Sequence, residues 1–207
     1  PGIVFEKRVG ETLPVFFMNE CGETMNVGFF QFAPRFGETQ TNLESIVHAI
    51  EAFQGDLLVF PELALSGYQF LSKEEAWEFA EEVPTGPVCQ RLAEAIQGRS
   101  FSIVVGLAER GHDCVYNSAV LIGPDGHIGT YRKTHLFFEE TLWFTPGNTG
   151  FQVWDIGQAK IGLLVCFDWF YPVDGEKDKS FIIMFSNSLE NRVVVEITPD
   201  DRSEPFS

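Results

Sequence analysis

Basic side chains are scarce in this sequence, with 14 Lys and Arg against 30 Asp and Glu among 207 residues and a formal charge of −16. The few cations form no cluster. That argues against nucleic-acid binding, because releasing counterions from a phosphate backbone needs a Lys/Arg patch. It argues equally against docking on an anionic membrane. Long apolar runs are lacking too: Ile161 to Phe167 is far too short to cross a bilayer. Cysteine is limited to Cys21, Cys89, Cys114 and Cys166, with no CxxC pair, in a chain too large to need disulfide staples. Reduced thiols and a cytoplasmic location are the expectation. Gly106-Leu-Ala-Glu-Arg-Gly111 is not a dinucleotide-binding GxGxxG, no Walker sequence occurs, and Ser66-Gly67 lacks the GxSxG frame of a serine hydrolase. His112 and Cys114 flank Asp113 too closely for a zinc site, and the other histidines share no ligand spacing, so no metal is expected.

What is present is apolar bulk. Hydrophobic residues make up 44% of the chain and 21 of them are Phe, enough for a sizeable core. Asn26 to Phe32 reads as a buried strand ahead of Pro34, with Met25 directly before it. Pro1 to Thr24 show no convincing period, so residues 1–24 are expected as an extension before a domain over 25–207, with an extra strand as the alternative. Lys7 and Arg8 precede only Leu13 to Met18, which includes Pro14 and is short for a secretory signal.

Thr41-x-x-Glu44 predicts a capping box, followed by Leu43, Ile46, Val47, Ile50 and Phe53 at helical spacing. Asp56 to Phe60 reads as a second strand, stopped by Pro61. Ser72-x-x-Glu75 caps a further helix, and Pro87 suits the first position of a third. Strands follow at Phe101 to Leu107, Asn117 to Ile122 and Ile128 to Arg132, the last two around the turn Pro124-Asp125-Gly126. An aromatic loop runs from Thr134 to Gly150. Strands at Phe151 to Trp154 and Lys160 to Cys166 come after it. This order implies an α/β layered domain with helices covering one face of a mixed sheet.

Three reactive side chains stand at strand ends, where α/β folds place their sites. Glu62 follows four apolar residues and a proline, so its carboxylate is partly desolvated and suits a general base. Lys133 emerges from a strand into the aromatic loop and could stabilise an oxyanion. Cys166 closes an apolar strand and could be a nucleophile. From the residues alone, a cysteine–histidine hydrolase with His135 as the base to Cys166 is the best reading, and each residue taken singly is more often structural. Phe137, Phe138, Trp143, Phe144, Trp169 and Tyr171 suggest a modest apolar cavity for a small acyl group, with core or dimer surface as the alternative.

Phe60-Pro61-Glu62-Leu63 with Ser66-Gly67-Tyr68, Tyr116-Asn117-Ser118-Ala119, Tyr131 to Phe137, Phe144 to Asn148 and Val165 to Pro172 together resemble the nitrilase superfamily of carbon–nitrogen hydrolases, in order and almost continuously from Asn26 to Pro172. The resemblance implies an αββα sandwich whose subunits pair into dimers or larger assemblies. It implies a triad of Glu62, Lys133 and Cys166, with Glu140 as a second glutamate and the backbone N–H of Phe167 as an oxyanion donor. Phe137, Trp169 and Tyr171 are the expected substrate contacts. The implied reaction is hydrolysis of a non-peptide carbon–nitrogen bond in a small amide, nitrile or N-carbamoyl compound, through a cysteine thioester, with release of ammonia and no cofactor.

After Pro172 the resemblance breaks. Val173 to Lys179 is polar, Phe181 to Phe185 could be a strand, and Leu189 to Val193 resembles a downstream family segment reached early. Asp201 to Phe206 is similar to the family's terminal tail. The second half of the sandwich is expected to be incomplete, with roughly a third of the usual domain absent. The alternative function is therefore a truncated, catalytically silent relative acting as an interaction subunit.

Overall fold

The structure, a computed structural model, describes residues 11–18, 24–171 and 181–185. Its elements are β1 (Glu11–Met18), β2 (Thr24–Gln31), α1 (Thr39–Ala52), β3 (Leu57–Val59), α2 (Lys73–Glu78), α3 (Pro87–Ile96) and β4 (Ser102–Arg110). They continue with β5 (Val115–Gly123), β6 (Gly126–Arg132), α4 (Glu140–Trp143), β7 (Val153–Asp155), β8 (Lys160–Val165), a 3₁₀ helix over Cys166–Phe170 and β9 (Phe181–Phe185). The tail segments Val173 to Lys179, Leu189 to Val193 and Asp201 to Phe206 lie outside the described residues.

The first six strands form one mixed sheet in sequence order, and β7, β8 and β9 form a second. β2, β3 and β4 run parallel, joined by crossovers through α1 and through α2 and α3. β4, β5 and β6 then meander antiparallel. Glu11–Met18, within the segment expected as an extension, pairs antiparallel with β2 from Glu11 opposite Gln31 to Met18 opposite Thr24. β9, read as a possible strand, runs parallel to β8 with Ile161 opposite Phe181.

Hydrophobic periodicity explains the layers. Leu43, Ile46, Val47 and Ile50 recur on one side of α1 and pack, with Leu92 and Ile96 of α3, on Leu58, Ile103, Val105 and Val120 of the sheet. Each such side chain contributes about 1.5–3 kcal/mol relative to remaining exposed. Strand alternation sends Val27, Phe29, Val59, Val104 and Leu121 to the opposite face, where they meet Ile161, Leu163 and Val165 of the second sheet. Helix, sheet and sheet thus stack in the order the family resemblance implies.

One expected helix start is displaced. α1 begins at Thr39, not at a Thr41 capping box, and Glu38 before it makes no side-chain cap. The buried Asn42 fixes this start instead, its amide donating to Arg35 O and Leu65 O at 2.8 Å each and accepting from Arg35 N at 2.9 Å. At α2 the expectation holds: the Ser72 hydroxyl accepts from Glu75 N at 3.2 Å. The β5–β6 hairpin turns through Pro124-Asp125, with Gly126 at φ +111°, a conformation few side chains tolerate.

Candidate active site

Topology brings the site together. β3 and β4 are parallel, and β6, two antiparallel steps from β4, runs the same way, so Glu62 after β3 and Lys133 after β6 leave the sheet at one end. β5 runs oppositely and starts at that end, which places Asn117 between them. Lys133 N donates to Asn117 O at 2.8 Å, and Lys133 O accepts from Gly147 N at 2.8 Å. Strand alternation turns the neighbouring Arg132 away, onto Glu109, with its Nε 3.0 Å from Glu109 Oε2.

Glu62 is seated by a close backbone approach. Ala64 N donates to Gly106 O at 2.8 Å, and a Cβ on Gly106 would lie 2.7 Å from both Glu62 Cα and Leu63 N. Glycine is required there because only backbone fits. Gly106→Ala is expected to lower stability by about 1–3 kcal/mol through this overpacking. Thermal unfolding checks it, and a wild-type midpoint would show that the loop yields freely.

Lys133, Glu62 and Glu140 are all fully buried. The Lys133 Nζ donates to Glu62 Oε1 and to Glu140 Oε1, each at 2.8 Å. Asn117 Nδ2 donates to Glu62 Oε1 at 2.7 Å and reaches Glu140 Oε1 at 3.4 Å. Glu140 also accepts from the Tyr68 hydroxyl at 2.7 Å and from Phe137 N at 2.7 Å, which holds it at the head of α4. Burial alone would lower the Lys133 pKa. The charges of Glu62, Glu140 and Cys166 outweigh it and raise the pKa, so the side chain is an ammonium. Glu140 is pushed up by burial and by Glu62, against the opposing pull of Lys133. Burial, then Glu140 and Glu62, push the Tyr68 phenol well above its usual range, so it serves as a donor.

Cys166 stands where β8 gives way to the 3₁₀ helix, half-buried, with φ +49°. Leu63 after Glu62 (φ +50°) and Phe138 in the aromatic loop (φ +46°) share this left-handed backbone. Such conformations cost of order 1–3 kcal/mol and gather at functional sites. The Cys166 thiol lies near enough to Lys133 to be among the groups that raise its pKa. His135, the base of the cysteine–histidine reading, is tied to Asp168 instead, with its Nδ1 2.9 Å from Asp168 Oδ1 and its ring stacked on Tyr171 at 3.7 Å.

The aromatics divide between two roles. Phe144 and Trp143 belong with Phe70 in a core cluster beneath α2, so for these two the core alternative holds and not the cavity wall. Phe137 and Tyr171 are 48% and 41% exposed and flank the ring of Phe167, at 5.1 and 5.5 Å between centroids. They stand at the rim beside the cysteine. The side chain of Trp169 lies outside the described residues. A separate groove of 430 Å³ between α1 and α3 carries Glu44, His48, Glu51 and Arg91 but none of the site residues.

Tyr68 and Asn117 lie in the matching segments, and the linear sequence assigns neither of them a role. Asn117 carried a signal, being an amide in a strand buried along its whole length. Among the described residues no group of three or more His, Cys, Asp or Glu could hold a metal ion, and no helix is long and apolar enough to cross a membrane.

A fully buried glutamate–lysine–glutamate cluster, its lysine within electrostatic reach of a cysteine with left-handed backbone, lies at the strand ends of an α/β sandwich. Residues 26–174 match the carbon–nitrogen hydrolase family, and the chain belongs to it. It is 40% identical over 151 residues to a nitrilase of Pyrococcus abyssi (strain GE5 / Orsay), a match covering 72% of this chain and 58% of that protein. It is 39% identical over 150 residues to an (R)-stereoselective amidase of Pseudomonas sp, covering 72% and 53% respectively. The chain therefore spans little more than half the length of these relatives. Among solved structures, the CN-hydrolase superfamily protein XC1258 from Xanthomonas campestris, with an arsenic adduct in its active site, superposes with a TM-score of 0.68 at 23% identity, covering 79% of this chain and 65% of that one. That likeness shows the fold.

Proposed function

We propose that this protein hydrolyses a carbon–nitrogen bond of a small amide through a thioester on Cys166. The observation that carries the reading is the buried Lys133 ammonium held at 2.8 Å by both Glu62 and Glu140 and coupled in charge to Cys166. The ammonium favours the thiolate form of the cysteine. Glu62 takes the thiol proton, and the sulfur attacks the carbonyl carbon. The resulting oxyanion is met by Phe167 N–H and Lys133. Glu62 then gives its proton to the leaving nitrogen, the carbon–nitrogen bond breaks and ammonia departs. Water, deprotonated by Glu62, attacks the thioester, and the acid and the thiol are released. Glu140, fixed by Tyr68 and Phe137 N, orients Lys133 and the substrate amide. Phe137 and Tyr171 stand at the approach, and Trp169 is the third substrate contact that this reading assigns. Nitriles and N-carbamoyl compounds are chemically related substrates, and pairing of subunits into a homodimer or larger assembly belongs to the same reading.

The test is ammonia release from a panel of small amides, N-carbamoyl compounds and nitriles. Glu62→Gln keeps the shape but cannot move the proton, and should lower turnover at least about 10²-fold with the fold intact. Near-wild-type turnover would remove Glu62 from the mechanism. No release from any compound would leave the chain as a silent interaction subunit.

Cysteine labelling gives a substrate-free check. Burial, with Glu81 and Glu109, pushes the Cys89 thiol up to about 12. Iodoacetamide should therefore label Cys166 well before Cys89, and equal rates in the folded protein would count against a thiolate at Cys166.

A further inference from the structure

Among the described residues, the chemistry proposed above leaves one fully buried carboxylate unused. Asp168 lies two residues after Cys166 and is completely covered. Its Oδ2 accepts from the Tyr131 hydroxyl at 2.8 Å and from the Val165 backbone N–H at 3.1 Å. Its Oδ1 accepts from the His135 backbone N–H at 2.8 Å and lies 2.9 Å from the His135 Nδ1. The sequence positions of these donors matter. Tyr131 and His135 stand two residues before and two residues after Lys133, while Val165 immediately precedes Cys166. One carboxylate thus joins both flanks of the lysine to the backbone on each side of the cysteine.

Lys133 follows a strand of the first sheet and Cys166 a strand of the second, and these are separate hydrogen-bonded sheets. Packing of apolar side chains between sheets is non-directional and sets separations loosely. Directional bonds to a buried anion set them tightly. We propose that Asp168 is a positioning residue that fixes the Lys133 ammonium against the Cys166 sulfur across the two sheets. The inference rests on Cys166 being the nucleophile. It also accounts for the left-handed backbone of Cys166, because the Val165 N–H and the Asp168 side chain close a bond across that residue.

The donor arrangement makes asparagine a sharp probe. Each oxygen of Asp168 accepts from one backbone N–H, Val165 on one side and His135 on the other. Backbone donors cannot reverse, so whichever way the side-chain amide of Asp168→Asn turned, its NH₂ would face one of them. Tyr131→Phe is the milder probe, since it removes one donor and leaves the backbone bonds in place.

The experiment is iodoacetamide labelling of Cys166 in the full chain across about pH 5–10, read by peptide mass, beside kcat and KM for ammonia release. Asp168→Asn removes one anion beside the cysteine, which by itself would favour the thiolate, and keeps Lys133, Glu62, Glu140, Tyr68, His135 and Tyr131, so an upward shift reports a displaced Lys133. That variant should move the labelling midpoint upward by about one pH unit, a roughly tenfold loss of thiolate at neutral pH, and lower kcat more than KM changes. Tyr131→Phe should shift the same way by a smaller amount, about two- to fivefold in labelling rate. A folded variant of either kind with the wild-type profile and kcat would overturn the proposal, and if Asp168→Asn does not fold, Tyr131→Phe decides. Wild-type labelling of Cys166 no faster than Cys114 would instead defeat the nucleophile assignment, a result distinguishable from failure of Asp168 alone.

Discussion

Lys133→Met is expected to lose about 3–5 kcal/mol of stability, because it leaves two buried carboxylates facing each other with no cation between them. Glu62 and Glu140 both bond the same Nζ at 2.8 Å, and all three side chains are fully buried. Methionine matches the length of the stem and fills the space, so the loss is electrostatic and not a cavity effect. The pH dependence should follow. Burial and Glu62 already push the Glu140 pKa up, and Lys133 is what opposes them. Without the lysine the carboxyl pair binds a proton more tightly in the folded state than in the unfolded one. A raised folded-state pKa contributes stability that is full below the unfolded value and fades as pH rises. The variant should therefore recover part of its deficit relative to wild type as the pH is lowered from about 8 to about 5. Thermal melts at several pH values check this. A deficit that is constant or that grows on acidification would mean that the carboxylates are not held as the structure has them. Ammonia release should be lost at every pH, because neither the thiolate nor the oxyanion retains its cation.

Cys166→Ala should separate chemistry from folding. The residue is half-buried and small, so the melting curve should move by no more than about 1 kcal/mol. Alanine also carries a Cβ, so the backbone cost of the left-handed conformation is unchanged. Turnover should fall roughly 10⁴-fold or more, the scale on which removing a covalent nucleophile acts. Cys166→Ser should be nearly as inactive, since a hydroxyl beside the Lys133 ammonium stays protonated where a thiol ionises. Appreciable turnover in the alanine variant would mean that the sulfur forms no intermediate.

The linear sequence marks the three reactive residues to different degrees. Glu62 and Cys166 each follow an apolar run of strand length, which is visible in a linear reading, whereas Lys133 follows the mixed strand Gly126–Arg132 and is marked by the aromatic loop it leads into. These strands are β3, β6 and β8, and the three residues follow their ends. What a linear reading could not supply was the choice of partners. Asn117 meets Glu62 across 55 positions of sequence, and Tyr68 meets Glu140 across 72. An amide inside a strand, or a tyrosine after a glycine, has no local feature that names such a partner. Asp168 is silent in the linear sequence for the same reason, since its donors at Tyr131 and His135 come from another sheet and a loop. The aromatics of the loop were similar in composition and diverged only through the short turn of α4. That turn sends Trp143 and Phe144 inward to Phe70 and leaves Phe137 and Phe138 outside. At α1 the expected cap lost to a tertiary one, because the buried Asn42 satisfies the incoming loop at Arg35 and the loop beyond Glu62 at Leu65.

The central claim is that an acyl group passes through the sulfur of Cys166. The most direct measurement is acid quench of the protein during turnover of a small amide, followed by peptide mass analysis. The peptide bearing Cys166 should gain the mass of the acyl group, the gain should vanish in Cys166→Ala, and it should disappear on treatment with hydroxylamine, as a thioester does. Ammonia release with no adduct on Cys166, or with an adduct on another residue, would contradict the mechanism.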